Sequence, residues 1–591
     1  MGDARRRRPE APPTRSRRGT VLLWVGGCAL GLAVLAVGWI IVTGLLARAR
    51  LNDARAEIGA FRTAVAHGDM RQAQAIGQRI AERTASAHAL TSGPAWWVAA
   101  NVPVLGSPLR TGRVIASEVD RVGSTALPGV LEVVGDVRRV ATPSGGRVDV
   151  DRVAAAAPAL HKALATTGAA LHRIGATDPS WLPQMATARR SLLAKLTDLQ
   201  SQLAGADRGV RVAVALLGVQ RPQRIFIGFL NEAEARGLGG IPGQVAVATT
   251  DDGRIRFERF AADDDLGGVR ADVDLAADFR RQFGQDDPTG VFVNSTVSPD
   301  FRDAARIWAA DWQQKTGERI DAAIAVDPTA IGYLLDVTGP ARLPDGETIR
   351  GSEVAALTEK TVYSRFPAKA ARKAYLSAVA DAASERLLRG GDPARLLRAA
   401  ARGAGERRLL LWAADPAVEQ VVLSSGYGGP MPDTAHPASG FVLTNGSGGK
   451  LDYYLDRTMT YRRTGCGSSA AVTAALRVTN GAPARLPPYV TIRADQRGKT
   501  AAPGDEFLLV TYYGTAGAQV RSVTVDGRPV RFTRGTLHGL TAVTIALELP
   551  RGATRTVTVD LTEPHRSGPV QVLRQPLVRL LTVRSEEPAC R

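Results

Sequence analysis

The stretch NEAEARGLGG, Asn231 to Gly240, follows the apolar run RIFIGFL and gathers Asn231, the carboxylates Glu232 and Glu234, Arg236 and the glycines Gly239 and Gly240. An arginine fork grips a phosphate at two points, and a glycine-rich turn lets backbone amides approach an anion. The expectation is a corner that leaves a central strand with Arg236 pointing into a cleft, Gly239 and Gly240 presenting amides, and Glu232 and Glu234 orienting the guanidinium. The alternative use of the two carboxylates is to hold a divalent cation that bridges to a pyrophosphate. Arg365 and Arg372, further along, complete the candidate ligand-binding set. No catalytic residue is assigned.

The plainer readings of the same residues are concrete. Two exposed carboxylates beside an arginine usually make a solvated salt-bridge cluster, and a glycine cluster also serves a tight turn. The acidic run Asp263-Asp264-Asp265, with Asp272 and Asp274, lacks the spacing of a calcium loop and reads as a solvated loop. Tyr453 and Tyr454 are expected to split, one ring to the core and one to the surface.

All seven histidines and all three cysteines fall outside residues 216–426. A histidine-based triad, a thiolate nucleophile and a structural zinc site are therefore excluded there. Asp, Glu, Arg, Asn and backbone amides remain, a set suited to holding phosphate or sugar. The net charge of +18 raises nucleic acid as a partner, but the arginines are scattered and no basic run interleaved with aromatics follows the first 18 residues. An anionic envelope polymer or a polyprenyl-phosphate-linked glycan is the expected partner instead.

The elements that must position this chemistry read as a multidomain chain. Arg5 to Arg8, Arg15, Arg17 and Arg18 precede an uncharged apolar run ending at Ala47, longer than the roughly 20 residues that cross a bilayer. Residues 1–18 are read as a cytoplasmic basic tail, 19–47 as a transmembrane helix and everything beyond as extracellular, on the positive-inside bias. This makes a single-pass protein of the cell membrane. Residues 48–215 carry helical periodicity broken by Gly and Pro, an α-helical membrane-proximal region that opens with Leu51, Ala54, Ile58, Phe61 and Val65 at heptad spacing, a break at His67-Gly68-Asp69 and a resumption at Ala73, Ile76 and Ile80, a helical hairpin. Trp96 and Trp97 are expected to pack between helices, with contact at the bilayer interface, where tryptophan is enriched, as the alternative. Residues 216–426 mix strands and helices as an α/β (α+β) core, and 427–591 form short alternating strands, a C-terminal β-sandwich. Cys28 lies in the apolar run, which leaves Cys466 and Cys590 as the expected disulfide of an external compartment.

The succession RIFIGFLNEAEARGLGG, AVATTDDGRI, IDAAIAVDPTAIGYLLDVTGPARLPDGETI and KLDYYLDRTMTY resembles the domain-of-unknown-function 4012 family of actinobacterial and related membrane-anchored proteins. That family has no established activity, so the resemblance implies an address and a fold. A fainter similarity is to the LytR-CpsA-Psr phosphotransferases. It is carried by Asn231 to Arg236, IAVDPTAIGYLLD, LPDGE, Tyr363-Ser364-Arg365 and Arg372, and it implies polyprenyl-phosphate recognition. Where those enzymes have an Arg-Ser-Asp motif this chain reads GIPGQVAV, which tells against magnesium-assisted phosphotransfer. No resident cofactor is expected, and the reading leans away from catalysis. If the chain were an enzyme it would be a phosphotransferase of the envelope. The favoured function is binding of a phosphorylated or glycan envelope component, and the alternative is a structural ectodomain that docks another envelope protein. Convergence of Arg236, Arg365 and Arg372 on one open cleft separates the two.

Overall fold

The computed structural model describes residues 17–140, 147–178, 180–465, 467–496 and 502–588. The chain divides into two compact units, Met1–Gly135 with Pro158–Ala204, and Asp136–Ala157 with Gly205–Arg591.

The first unit is helical. Helix α1 (Arg17–His67) continues from the apolar run into the polar sequence without a break, and it is long and apolar enough for a membrane anchor or a signal sequence (mean hydropathy 2.4). Gly68 takes a left-handed turn (φ 78°), and Asp69 accepts from the Gln72 amide to start α2 (Met70–Thr91). Ala54, Phe61 and Ala64 then close on Ala73, Ile76 and Ile80, the helical hairpin that the heptad spacing predicts. Short α3 (Pro94–Ala100) precedes α4 (Ser107–Arg121), which a π-turn at Val122–Ala126 joins to α5 (Leu127–Val140). Pro128 has no amide to donate, so the helical register slips there instead of running on. In α6 (Val150–Gly175) and α7 (Pro183–Leu216), Ala170, Ile174 and Leu196 pack with Ile115.

The second unit joins the α/β and strand-rich regions in one body. Strands β1 (Gln223–Arg236), β2 (Gly239–Asp251) and β3 (Arg254–Ala262) form an antiparallel meander. β4 (Ala322–Val326) pairs parallel with β1, and Leu409–Ala413 closes the far edge. Alternation sorts the faces. Phe226, Leu230, Val245 and Val247 meet Phe301, Trp308 and Trp312 of helix Phe301–Thr316, whereas Ile227, Phe229 and Ile324 face the helices Pro328–Thr338 and Lys369–Leu388.

Beyond Gly426 two sheets of six and five strands stack, with Tyr461, Val472, Leu476, Leu508, Val510, Ile545 and Leu561 between them. The outer face of the five-stranded sheet is covered in part, while Ala546 and Glu548 on that face stay exposed. Val442, Tyr513 and Leu537 pack there on Phe279, Phe283 and Ile307 of the α/β part. Tyr453 and Tyr454 sit in a 3-10 turn instead of a strand, so their rings do not alternate: Tyr454 is buried and Tyr453, half-buried, packs against the same core. Asp263 and Asp264 start a short 3-10 turn and pair with Lys369 and Lys373.

Candidate functional site

The alternation of RIFIGFL predicts a strand that ends near Leu230, but β1 continues to Arg236. Asn231 pairs with Ile241 and Ala235 with Gly240, so Glu232, Ala233 and Glu234 bulge out with no partner on β2. Side chains supply the missing acceptors for three amides in this segment. The Glu232 amide donates to Glu359 Oε1 at 2.6 Å, the Ala233 amide to Asn231 Oδ1 at 3.1 Å and the Ala235 amide to Asp452 Oδ2 at 2.9 Å.

The carboxylates of the bulge diverge to separate cations. Glu232 is fully buried and accepts from Arg408 Nη1 at 2.6 Å, and the same nitrogen donates to Asp327 Oδ2 at 2.8 Å. Asp327 also caps the helix Pro328–Thr338 by accepting from the Ala330 amide. Arg408 further donates through Nε to Glu406 at 3.0 Å and through Nη2 to the Leu577 carbonyl of the strand-rich part at 2.6 Å. Glu234 turns the other way and pairs with Lys450. The two carboxylates therefore do not share a cation, and among the described residues no three His, Cys, Asp or Glu side chains converge as a metal site.

Three carboxyl groups, Glu232, Asp327 and Glu359, crowd one fully buried guanidinium. Burial holds Glu232 well above the ordinary carboxylate value, with Asp327 and Glu359 adding to the rise, and burial raises Glu359 to about 8. Across the bulge, burial lowers Lys450 to about 7. Asp452 and Glu506 are both raised, chiefly by burial, and the neighbouring Asp452 adds to the rise of Glu506.

The predicted arginines separate. Arg236 is enclosed, donating to Asn294 Oδ1 at 3.2 Å, to its neighbour's carbonyl at Ala235 and to the Asn445 carbonyl at 3.2 Å. Arg365 is held by Glu347 at 2.8 Å and lies over the Tyr375 ring. Arg372 is buried, donates to the carbonyls of Phe366 and Pro367, and stacks at 3.9 Å on Tyr489. Tyr489 also faces Lys450 and Tyr363, and Tyr363 accepts from Asn231 Nδ2 at 2.9 Å. Asn231, Glu234 and Arg372 thus meet around one aromatic pair, while Arg236 and Arg365 belong to other neighbourhoods. Gly239 (φ 114°) turns the hairpin against the Pro576 carbonyl, and Gly240 pairs directly with Ala235. Both glycines serve close backbone packing, because their neighbours are main-chain atoms.

One small cavity of about 60 Å³ abuts the bulge, walled by Phe229, Leu230, Ile331, Leu376 and Val379, with Asn231 and Glu359 among its polar members. Glu359, Arg408 and Lys450 are absent from the sequence reading. The legible signal was weak, namely an Arg407-Arg408 pair abutting the apolar strand LLLWA.

The protonated state of Glu359 has a measurable consequence. Its folded value lies above its unfolded value, so its contribution is fully present below about 4.5 and is lost as pH rises towards about 8. Glu359→Gln keeps an acceptor for the Glu232 amide and cannot ionise. The variant is expected to gain on the wild type by up to about 1.4 kcal/mol per pH unit over that window. Denaturant unfolding near pH 5 and near pH 8 reads the gap, and an unchanged gap would show Glu359 ionised throughout.

Comparison with known proteins gives a family and no activity. Two solved structures show distant likeness. A Legionella pneumophila protein described as nutrient binding shares 13% identity over 22% of this chain (TM-score 0.15), and this chain spans 43% of its length. The transcriptional regulator yvhJ of Bacillus subtilis shares 12% identity over 34% of this chain and 76% of its own (TM-score 0.21). Neither score is high enough to inform fold or function. No curated protein matches. The model of the family described as "Protein of unknown function (DUF4012)" matches residues 220–363, the span from β1 through the bulge and Glu359 to Tyr363. Over these residues the chain is similar to the DUF4012 family.

Proposed function

We propose that this is a single-pass membrane protein with a cytoplasmic N-terminus, whose bulk faces the envelope as an ectodomain that docks another envelope protein. The observation that carries this reading is the internal use of every predicted phosphate ligand. Arg236, Arg365 and Arg372 are each satisfied by carbonyls or carboxylates of the chain itself, in different places. The bulge fastens the α/β sheet to the strand-rich sheets through Asp452, Asn445 and Leu577. The arginine-rich tail before the apolar run supports the orientation.

A second reading, binding of a phosphorylated or glycan envelope component, is favoured by Lys450 and Arg372 over the Tyr363–Tyr489 pair beside the small cavity. The purified full chain titrated with polyprenyl phosphate separates the two. The docking reading expects no saturable binding. Saturable binding abolished by Lys450→Met would replace it with the second. A reporter active only outside the cytoplasm, fused after Arg591, is expected to be active, and an inactive one overturns the orientation.

Cys466 and Cys590 lie outside the described residues. The disulfide between them remains our proposal, supported by their being the two cysteines that follow the apolar run, in a compartment that permits disulfides. Non-reducing peptide mapping should recover the two cysteines in one linked pair. Alkylation of both in native protein would reject the bond.

A further inference from the structure

The Trp96-Trp97 pair splits in the fold. Trp96 packs against α1, donating through Nε1 to Thr43 Oγ1 at 2.8 Å, with its ring over Gly44. Trp97 turns outward and is 59% exposed. It does not stand alone. Val98, Val102, Val104, Leu105 and Trp181 are all exposed beside it in the chain or the fold, Val104 at 79%. The Trp181 indole donates to the Val104 carbonyl at 3.1 Å, which places the two tryptophans at one loop.

That loop is held in shape. The Gly106 amide donates to the Val102 carbonyl at 2.9 Å, and Arg110 donates to the Ala100 carbonyl. A side chain at Gly106 would collide with the carbonyls of Ala99, Ala100 and Val102. Val104 takes a left-handed backbone (φ 62°), which a β-branched residue adopts only when its surroundings impose it. A tight, fixed loop displaying valine, leucine and tryptophan outward is costly in water, so an apolar medium must cover it.

Position identifies that medium. Thr43 and Gly44 lie in the last turns of the apolar run, about 7 Å along the helix axis before the first charged residue, Arg48. The loop next to Trp96 is thus fastened at the level where the apolar run gives way to charge, the depth at which tryptophans anchor in bilayers. We propose that Trp97, Val98, Val102, Val104, Leu105 and Trp181 insert into the interfacial layer of the membrane crossed by α1, as a second, monotopic contact that fixes the tilt of the helical unit. The proposal rests on α1 spanning the bilayer.

The test uses the full chain in liposomes whose lipids carry bromine either near the headgroup end or near the methyl end of the acyl chains. Trp97→Phe with Trp181→Phe keeps the apolar bulk and removes the two fluorophores. The intensity quenched by the shallow bromolipid is expected to fall by about half in the double variant, as interfacial tryptophans require. Quenching of Trp24 and Trp39 by the deep bromolipid should persist in both chains, and its absence would instead reject the span itself. Equal shallow quenching in the two chains overturns the proposal. So does a blue-shifted, unquenched emission lost in the double variant, which would mean that protein, a partner or a second copy, covers the loop.

Discussion

Replacing Arg408 with methionine is expected to cost about 3–5 kcal/mol, because it strands buried carboxylates instead of removing a balanced pair. Arg408 is the cation that Glu232 and Asp327 share, and its other nitrogens hold Glu406 and the Leu577 carbonyl. The deficit should depend on pH in a definite direction. Burial holds Glu232 above its ordinary value and Arg408 opposes that rise, so removing Arg408 raises the carboxyl further. The loss is therefore smallest at acid pH, where wild type and variant both hold that proton, and grows towards alkaline pH, where only the wild type keeps a cation beside the ionising carboxyl. Urea unfolding of wild type and Arg408→Met at both ends of that range provides the measurement, with Arg270→Ala, an exposed partner of Asp287, as the control that leaves the midpoint in place. A deficit that does not change with pH would mean that the carboxyls stay ionised without Arg408.

The second large effect answers why the hairpin ends in Gly-Leu-Gly-Gly. A methyl group at Gly240 would overlap the Asn231 carbonyl and lie 2.6 Å from the Glu232 amide, both of them main-chain atoms of the bulge. Neither atom can swing aside as a side chain would, so β1 and β2 must part where Glu232 meets Arg408. The expected cost of Gly240→Ala is about 3 kcal/mol, at the upper end for overpacking. Gly243→Ala is the matched comparison three residues on. Its new methyl would lie 3.8 Å from the Asn231 side chain, an ordinary contact, so little change is expected. Equal melting temperatures for the two variants would show that the strand pair has slack at Gly240.

Both predictions concern groups whose types were legible in the sequence and whose partners were not. Asn231, Glu232, Glu234, Arg236, Gly239 and Gly240 form one structural feature, as their crowding in the chain implies. Their direction was misread because a corner and a bulged hairpin share a composition, and only the pairing of Asn231 with Ile241 and Ala235 with Gly240 tells them apart.

What the sequence by itself determined follows from local periodicity and composition. The uncharged apolar run dictates a helix that continues as α1, alternation dictates β1 to β4 and the stacked sheets, and heptad spacing dictates the α1–α2 hairpin. These signals are contained within tens of residues, so no distant partner is needed to read them. The tertiary structure alone decided what the charges do. Glu232 finds Arg408 at a separation of 176 residues, and the Ala235 amide finds Asp452 at 217. Burial then shifts Glu359 and Lys450 towards neutrality, a consequence of desolvation that residue type does not encode. Whether an arginine binds a ligand or a carbonyl of its own chain depends on which acceptor the fold brings within 3 Å, and here the fold supplied the acceptors itself.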